Sequence, residues 1–430
     1  MAASQLAGGQ AALEEAPIIL SPLGFTLPFE SGPSEEDVTR MISENAYSFR
    51  VSNIPGVIRY DGSQSAAKSP CEQRFVHGKF PSPYNDGTDW IVWGIFDGLD
   101  GWQTADMLGK YIIPSIQRNI LKAPAVTATH LSDRVIRTAI QKGFTDLDDA
   151  IILPARQIVE SEEPLQHKIK KLVPCHSGSC ALVSIYIPDG RLFVACTGDS
   201  KAVLGVRVIP GAIWKVEHLS KDQTTQNESE VTRFEDEHPG ERYIIYNNML
   251  PGGRVTRAFG SAKWKWPMDL QIEVANKLRG RLPLPAGLDY LTPPYVTAKP
   301  VIVKNTVDSS KPAFLIMATI SFWRMVSDQN AVNLVVEWWN AQKAGTGDSG
   351  QTTAYYEPFH FGRFGDGMPE WFVKPRLTIQ DDNAAVHLIR NALGGNHHEL
   401  IASRLAFTPP LAENVRNDMT VQVVFFNTDV

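Results

Sequence analysis

One acidic residue, Asp97, lies in a segment whose pattern suits metal chemistry. The segment IFDGLDGWQTADML (95–108) begins as a buried strand, passes through an acidic turn and continues with a helical pattern. This order puts the carboxylate at the rim of a sheet, where oxygen ligands hold hard cations such as Mg²⁺ or Mn²⁺. The residues around Asp97 therefore predict a candidate site for metal-assisted chemistry.

Several motifs resemble those of the metal-dependent serine/threonine phosphatases of the 2C class. The similarity runs from about residue 45 to the end and is greatest to the fungal pyruvate-dehydrogenase-phosphatase-like members. It rests on SPCEQRFVHGKF (69–80), FDG (96–98), CTGDSKAVL (196–204), VTRAFGSAKWKW (255–266), MATISFWRMVSDQNAV (317–332) and VRNDMTV (415–421). The resemblance implies two metal ions that activate a bridging water and clamp a phosphate group.

The first two motifs keep the scaffold but change residues that the reaction needs. Glu72 matches an early Glu-Asp pair, but Gln73 stands where the ligand Asp belongs and brings an amide without charge. Asp97 and Gly98 match the family pattern. Leu99 replaces the His that would protonate the leaving oxygen, so the resemblance implies that this general acid is missing.

The later motifs lose more acidic residues. Ile320 and Arg324 stand where relatives have Asp, and Asn417 replaces the terminal Asp ligand. Ser261 replaces the Asp that follows RAFG, whereas Asp199 is kept and would help to hold an additional metal. One of the four carboxylates expected around the metal pair remains, and each lost charge weakens the attraction for a dication. We therefore expect no bound metal pair and no cofactor.

Basic residues near the altered positions suggest a different use of the pocket. Lys68, four residues before Glu72, and Arg324 could pair with Asp97 and Asp199 or bind an anion. The candidate catalytic residues are Asp97 and Glu72. The candidate ligand or anion pocket comprises Lys68, Gln73, Arg74, Gly98, Leu99, Asp199, Ser261, Ile320, Arg324 and Asn417.

Purely structural roles are the alternative for many of these residues. Asp97 and Asp199 would then satisfy amides of turns. Glu72 and Arg74 would form a surface ion pair of little energetic value. The tryptophans of KWKW (263–266) would be packing residues.

Three functions are compatible with the altered motifs. The first is a pseudophosphatase, a binding or regulatory protein without the dinuclear metal centre. The second is a metal-independent enzyme, of the isomerase, cyclase or hydrolase type, that acts on a small organic molecule in the former cleft. The third is a residual Mg²⁺- or Mn²⁺-dependent phosphatase with shifted ligands such as Asp100, Asp328 or Asp418.

Composition limits the possible partners. The chain has 430 residues, 43% hydrophobic and 20% charged, which is typical of a globular protein. The net charge of −6 and the lack of a basic block argue against nucleic acid, and no apolar run has the roughly 18 residues of a membrane span. The four cysteines lack zinc-site spacing, so we expect reduced thiols in the core. The partner is expected to be an unidentified protein or a small organic ligand.

The pattern of predicted elements indicates an α+β fold. Strand hairpins alternate with helix pairs without a βαβ rhythm, which favours antiparallel sheets covered by helices. The resemblance makes this a four-layer α-β-β-α sandwich with the site at one edge between the two sheets. The predicted helices are 34–46, 102–121, 131–151, 227–240, 328–342, 380–393 and 397–405, and the predicted strands are 89–98, three within 180–208, 311–320 and 418–427.

The chain is expected to form a flexible N-terminal arm (1–33) followed by a single domain (34–430). An irregular insertion near 343–378 is rich in Gly, Pro and aromatic residues. No Lys or Arg precedes Arg40, which is unlike a mitochondrial presequence, so a cytoplasmic location is expected. Removal of a presequence from a mitochondrial protein would give the same appearance.

Overall fold

The computed structural model describes residues 32–123, 130–207, 213–241, 255–278, 290–345 and 378–427. It also gives the backbone of two short strand pairs, one within 19–26 and one within 360–372. Most of the predicted arm and of the predicted insertion lies outside the described residues. Within the described part, no helix combines the length and the apolar character required to cross a bilayer.

The strands of the described residues are numbered in chain order. They are β1 (Ile19–Leu20), β2 (Phe25–Thr26), β3 (Tyr47–Arg50), β4 (Val57–Ser65), β5 (Arg74–Pro81), β6 (Asp89–Leu99), β7 (Gly178–Tyr186), β8 (Arg191–Thr197), β9 (Lys201–Val206), β10 (Lys215–His218), β11 (Phe259–Gly260), β12 (Val301–Thr306), β13 (Ala313–Ala318), β14 (His360–Arg363), β15 (Pro369–Phe372) and β16 (Met419–Phe426).

The α-helices of the same residues are numbered in the same way. They are α1 (Glu35–Ser43), α2 (Gln103–Leu121), α3 (Asp133–Ile152), α4 (Ala155–Glu160), α5 (Leu165–His176), α6 (Glu228–Glu237), α7 (Met268–Leu278), α8 (Ile320–Trp323), α9 (Asp328–Ala344), α10 (Ala384–Leu393) and α11 (His398–Ala406). The predicted capped start at Ser34 is confirmed, because Ser34 and Asp37 form a reciprocal capping box.

Two antiparallel sheets form the centre of the fold. Sheet I has the strand order β10-β9-β13-β16-β4-β3, and sheet II has the order β12-β8-β7-β6-β5 with β11 beside β7. Apolar residues of α1, α9, α10 and α11 cover the outer side of sheet I, and those of α2 and α3 cover sheet II. A third apolar cluster fills the space between the sheets. The predicted four-layer α-β-β-α sandwich is confirmed.

The alternation of side chains between the two faces of β6 determines where Asp97 lies. Ile91, Trp93 and Ile95 belong to the cluster between the sheets, whereas Trp90 and Phe96 pack against the helices over sheet II. Successive side chains of a strand point to opposite faces. Asp97 continues the register of Ile95 and therefore lies at the end of the inter-sheet space.

Protonation of a buried histidine is expected to make stability depend on pH. His387 on α10 is fully buried, its Nε2 lies 3.0 Å from the carbonyl oxygen of Leu334, and burial lowers its pKa from 6.5 to about 4. Between these two pH values the unfolded chain binds more protons, so stability falls as the pH drops from about 7 to 4. We expect this residue alone to contribute a loss of about 3 kcal/mol.

Urea denaturation at pH 7 and at pH 4 measures this effect. His387→Gln should reduce the difference between the two free energies of unfolding, because Gln does not titrate. His167→Gln is the control, since His167 is exposed on α5. Equal pH dependence of wild type and His387→Gln would contradict the prediction.

Candidate functional site

The amide of Gln73 links the elements that surround Asp97. Gln73 is only 1% exposed, and its Nε2 donates to Oδ1 of Asp97 at 3.0 Å and to the carbonyl oxygen of Asp418 at 2.8 Å. Its Oε1 accepts from the hydroxyls of Thr420 at 2.7 Å and Thr319 at 3.3 Å. The group facing Asp97 is thus a hydrogen-bond donor, which cannot ligate a cation.

Burial and a second acid change the protonation of Asp97. Burial raises the pKa of Asp97 to about 8, the charge of Asp199 adds to this increase, and Asp418 raises the pKa further. The hydrogen bond from Gln73 and the charge of Lys68 act in the opposite direction but do not offset it. Burial and the neighbouring acids therefore favour the neutral form of Asp97 relative to an exposed aspartate.

Asp418 holds the loop that leads into β5. One carboxylate oxygen accepts from the backbone amides of Ala67 at 2.7 Å and Lys68 at 2.9 Å, and the other accepts from the amide of Glu72 at 2.7 Å. The neighbouring Asn417 is exposed, and its side-chain oxygen accepts from the amide of Asp418 at 2.8 Å. Asp418 thus positions Glu72, and its oxygens already have partners.

Glu72 pairs with Lys68 and not with Arg74. Nζ of Lys68 lies 2.6 Å from Glu72 and 3.7 Å from Glu413. Arg74 instead lies 3.4 Å from Asp106 on α2. The predicted surface pair between Glu72 and Arg74 is therefore wrong, because β5 directs Arg74 toward the helices over sheet II.

Ile320 and Arg324 lie at opposite ends of α8. Ile320 is partly buried and packs against the apolar cluster on the outer side of sheet I. Arg324 is exposed, and its side chain makes no ion pair within the described residues. The predicted pairing of Arg324 with Asp97 or Asp199 is not formed.

Gly98, Leu99 and Ser261 complete the rim. A Cβ atom at Gly98 would overlap the carbonyl oxygen of Glu72, so the chain requires glycine there. Leu99 packs against the apolar cluster that contains Trp264. Ser261 adopts a left-handed conformation with φ of 53°. The side chain at position 99 is thus part of the packing.

Asp199 lies between β8 and β9, on the side of Cys180. The thiol of Cys180 lies 3.5 Å from Oδ1 of Asp199, and both residues are buried. The cysteines of the described residues are free thiols, and three of them are buried in the core as predicted, whereas Cys71 is only partly buried. Trp264 and Trp266 are each 3% exposed, which confirms that they are packing residues.

Two of the three proposed shifted ligands form ion pairs with lysines, whereas Asp418 lies close enough to Asp97 for its charge to raise the pKa of Asp97. Asp100 pairs with Lys263 at 3.0 Å, and Asp328 pairs with Lys201 at 3.2 Å. Among the described residues, no group of three or more His, Cys, Asp or Glu side chains is arranged to hold a metal ion. The structure gives these acids other partners.

The donor set near Asp97 does not fit the metal pair that the family resemblance implies. Position 73 presents an amide nitrogen, position 320 an apolar side chain and position 417 an exposed amide. Divalent cations of this kind are held by oxygen ligands, carboxylates among them, which none of these three side chains supplies toward Asp97.

Two partners of Gln73 were not identified from the sequence. Thr319 and Thr420 supply the hydroxyls that bind its amide oxygen. Each lies next to or near a residue of the sequence-predicted site, Ile320 or Asn417, and this proximity is the signal that the sequence offers. These hydroxyls and the Gln73 amide together form a buried polar network.

A family model and individual relatives both point to one protein family. A family model described as protein phosphatase 2C matches residues 61–353. The chain is 35% identical over 405 residues to a protein phosphatase 2C homolog of Schizosaccharomyces pombe, covering 92% of this chain and 86% of that protein. It is 30% identical over 426 residues to the mitochondrial pyruvate dehydrogenase (acetyl-transferring)-phosphatase 1 of Saccharomyces cerevisiae, covering 91% of this chain and 73% of that protein.

A solved structure of serine-threonine phosphatase 2C from Toxoplasma gondii is also similar. It has a TM-score of 0.49 and 14% sequence identity, and the match covers 88% of this chain and 99% of that chain.

Proposed function

Because this chain belongs to the protein phosphatase 2C family, we propose that it is a pseudophosphatase that binds or regulates a protein partner without metal-dependent chemistry. The observation that carries this proposal is the orientation of Gln73. Its amide nitrogen donates to Asp97 at 3.0 Å, in the position where the family resemblance implies a metal-ligating carboxylate. A donor there opposes cation binding.

The missing proton donor supports the same proposal. Leu99 stands where relatives have the general acid and packs against apolar residues, so it supplies no proton. Without a metal pair, no activated water is available to attack the phosphate. Without this acid, no side chain protonates the leaving oxygen.

The scaffold, in contrast, contains a buried ion pair that requires precise geometry. Arg257 of the RAFG motif is buried and forms a two-pronged ion pair with Glu230, in which Nη2 donates to Oε1 at 2.7 Å and Nε donates to Oε2 at 3.0 Å. Loss of one partner in such a buried pair is strongly destabilising. A stable fold that lacks reactive groups is suited to binding, which favours a regulatory role over loss of all function.

A repurposed small-molecule enzyme has weaker support. The apolar replacements that suggest an organic ligand are Leu99 and Ile320, and both contribute to packed clusters. Their side chains are therefore partly buried and already engaged in packing. A residual phosphatase would need a ligand set that the acids near Asp97 do not provide.

Metal titration tests the pseudophosphatase proposal. We expect calorimetry to show no saturable binding of Mn²⁺ or Mg²⁺ at micromolar concentrations. We also expect aryl-phosphate turnover no faster than that of the Asp97→Asn variant. Manganese-dependent turnover that Asp97→Asn abolishes would overturn the proposal and favour a residual phosphatase.

A protein partner and a cytoplasmic location are parts of the same proposal. We expect a protein partner that co-purifies with the chain, and a cytoplasmic location, although the name of the Saccharomyces relative places that protein in mitochondria. Cell fractionation with affinity purification measures both. Recovery of the chain in mitochondria would contradict the proposed location.

A further inference from the structure

A cavity of about 230 Å³ lies on the outer side of sheet I, between α9 and the antiparallel pair of β3 and β4. Its lining residues are distinct from those around Asp97, and it has no part in the proposed function. The lining includes Arg50, Ile58, Arg59, Trp338, Trp339 and Gln342. We call the space that these residues enclose the α9 cavity.

The charge of the α9 cavity is positive. Arg50 is exposed and has no hydrogen bond or ion pair through its side chain within the described residues. Arg59 lies 2.8 Å from Asp61 and 5.1 Å from the centre of the Trp338 ring. Lys343 also lines the cavity, and no acidic side chain of the described residues does. The free charge of Arg50 therefore favours an anion.

Two hydrogen-bond donors of the cavity lack acceptors. Nε1 of Trp339 and Nε2 of Gln342 are buried and have no hydrogen-bond partner among the described residues. The two residues are three positions apart on α9 and therefore share one face of the helix. A buried donor without an acceptor is energetically unfavourable. Both nitrogens are closed to solvent in this conformation, and rotation of the flexible Gln342 side chain would turn its amide toward an entering oxygen.

The remaining walls are apolar. Ile58 and the two indoles pack against the core on the outer side of sheet I. Trp339 contacts Phe425 with a ring separation of 4.3 Å, which fixes one side of its indole. The lining thus combines donors and positive charge with flat apolar surface.

We propose that the α9 cavity binds a small organic acid, with its carboxylate or phosphate group facing Arg50, Trp339 and Gln342. The apolar part of the ligand contacts Ile58 and the indoles. The volume accommodates a single-ring compound and is below the usual size of a drug-like site. Carboxylate and phosphate ligands of this type share an anionic group with several acceptor oxygens, attached to a flat apolar ring.

Fluorine NMR of protein labelled with 5-fluorotryptophan tests the proposal. The chain has ten tryptophans, and Trp339→Phe assigns the signal of interest. Benzoate and phenyl phosphate serve as the two anionic probes, and benzyl alcohol is the neutral probe. We expect at least one acid to shift the Trp339 signal saturably at millimolar concentration, and benzyl alcohol to bind more weakly. The preferred acid distinguishes a carboxylate ligand from a phosphate ligand.

A matched pair of variants tests the role of Arg50. Arg50→Gln should weaken binding of the acid about tenfold, as expected for loss of a charge-assisted contact. Arg207→Gln should leave it unchanged, because Arg207 lies over a different indole, that of Trp214, at 5.4 Å. Melting temperatures verify that both variants fold. No saturable shift with either acid, equal binding of benzyl alcohol, or equal affinity of Arg50→Gln and wild type would overturn the proposal.

Discussion

The triple variant Gln73→Asp, Ile320→Asp, Asn417→Asp is expected to bind Mn²⁺ at least roughly a hundredfold more tightly than the wild-type chain. Together with Asp97, it would carry the four carboxylates that the family resemblance places around the metal pair. If each added charge contributes only about 1 kcal/mol, the sum of about 3 kcal/mol corresponds to more than a hundredfold. The replacement at position 73 also removes the amide donor that faces Asp97.

Calorimetric titration with Mn²⁺ measures this gain, and two controls isolate its cause. Ile320→Asn places amides at all three positions without adding charge, so it should bind no better than wild type. Asp97→Asn within the triple variant should lose most of the new affinity. If the folded triple variant fails to bind Mn²⁺, the missing carboxylates are not what prevents metal binding.

Replacement of Gln73 by Leu is expected to lower the free energy of unfolding by about 4 kcal/mol. The amide makes four hydrogen bonds that join β5, β6, the start of α8 and β16. Leu fills a similar volume but leaves the hydroxyls of Thr319 and Thr420 and the carbonyl of Asp418 with fewer partners. Buried polar groups that lose partners carry the cost of their desolvation.

Urea denaturation of Gln73→Leu measures the effect. Gln226→Leu is the matched control, because Gln226 is exposed and its side chain has no hydrogen bond within the described residues. Its free energy of unfolding should stay within about 0.5 kcal/mol of wild type. A similarly small change for Gln73→Leu would show that the amide does not stabilise the site.

Local pattern predicted the elements with strong periodicity. The strand that contains Asp97 and the helix that begins after Ser34 both have regular apolar spacing or a clear cap. The strands between residues 47 and 81 were missed. In β4, the Asp61-Gly62 pair has the composition of a turn, yet both residues lie within the strand.

The reason for that failure is tertiary. Strands β3 and β16 flank β4 and supply the backbone partners that override the local turn preference. The buried carboxylate of Asp61 accepts from Arg59 at 2.8 Å and from the amide of Ala384 at the start of α10 at 2.9 Å. β16 and Ala384 are distant from β4 in the sequence, whereas β3 and Arg59 are near.

The sequence by itself determined the family and the four-layer architecture, because motifs and apolar spacing are local properties. Only the tertiary structure decided what the residues at the motif positions do. Gln73 became a donor to Asp97, Asp418 became a partner of three loop amides, and Arg324 stayed at the surface. These outcomes depend on the direction of side chains from separate strands, which no single segment of the chain specifies.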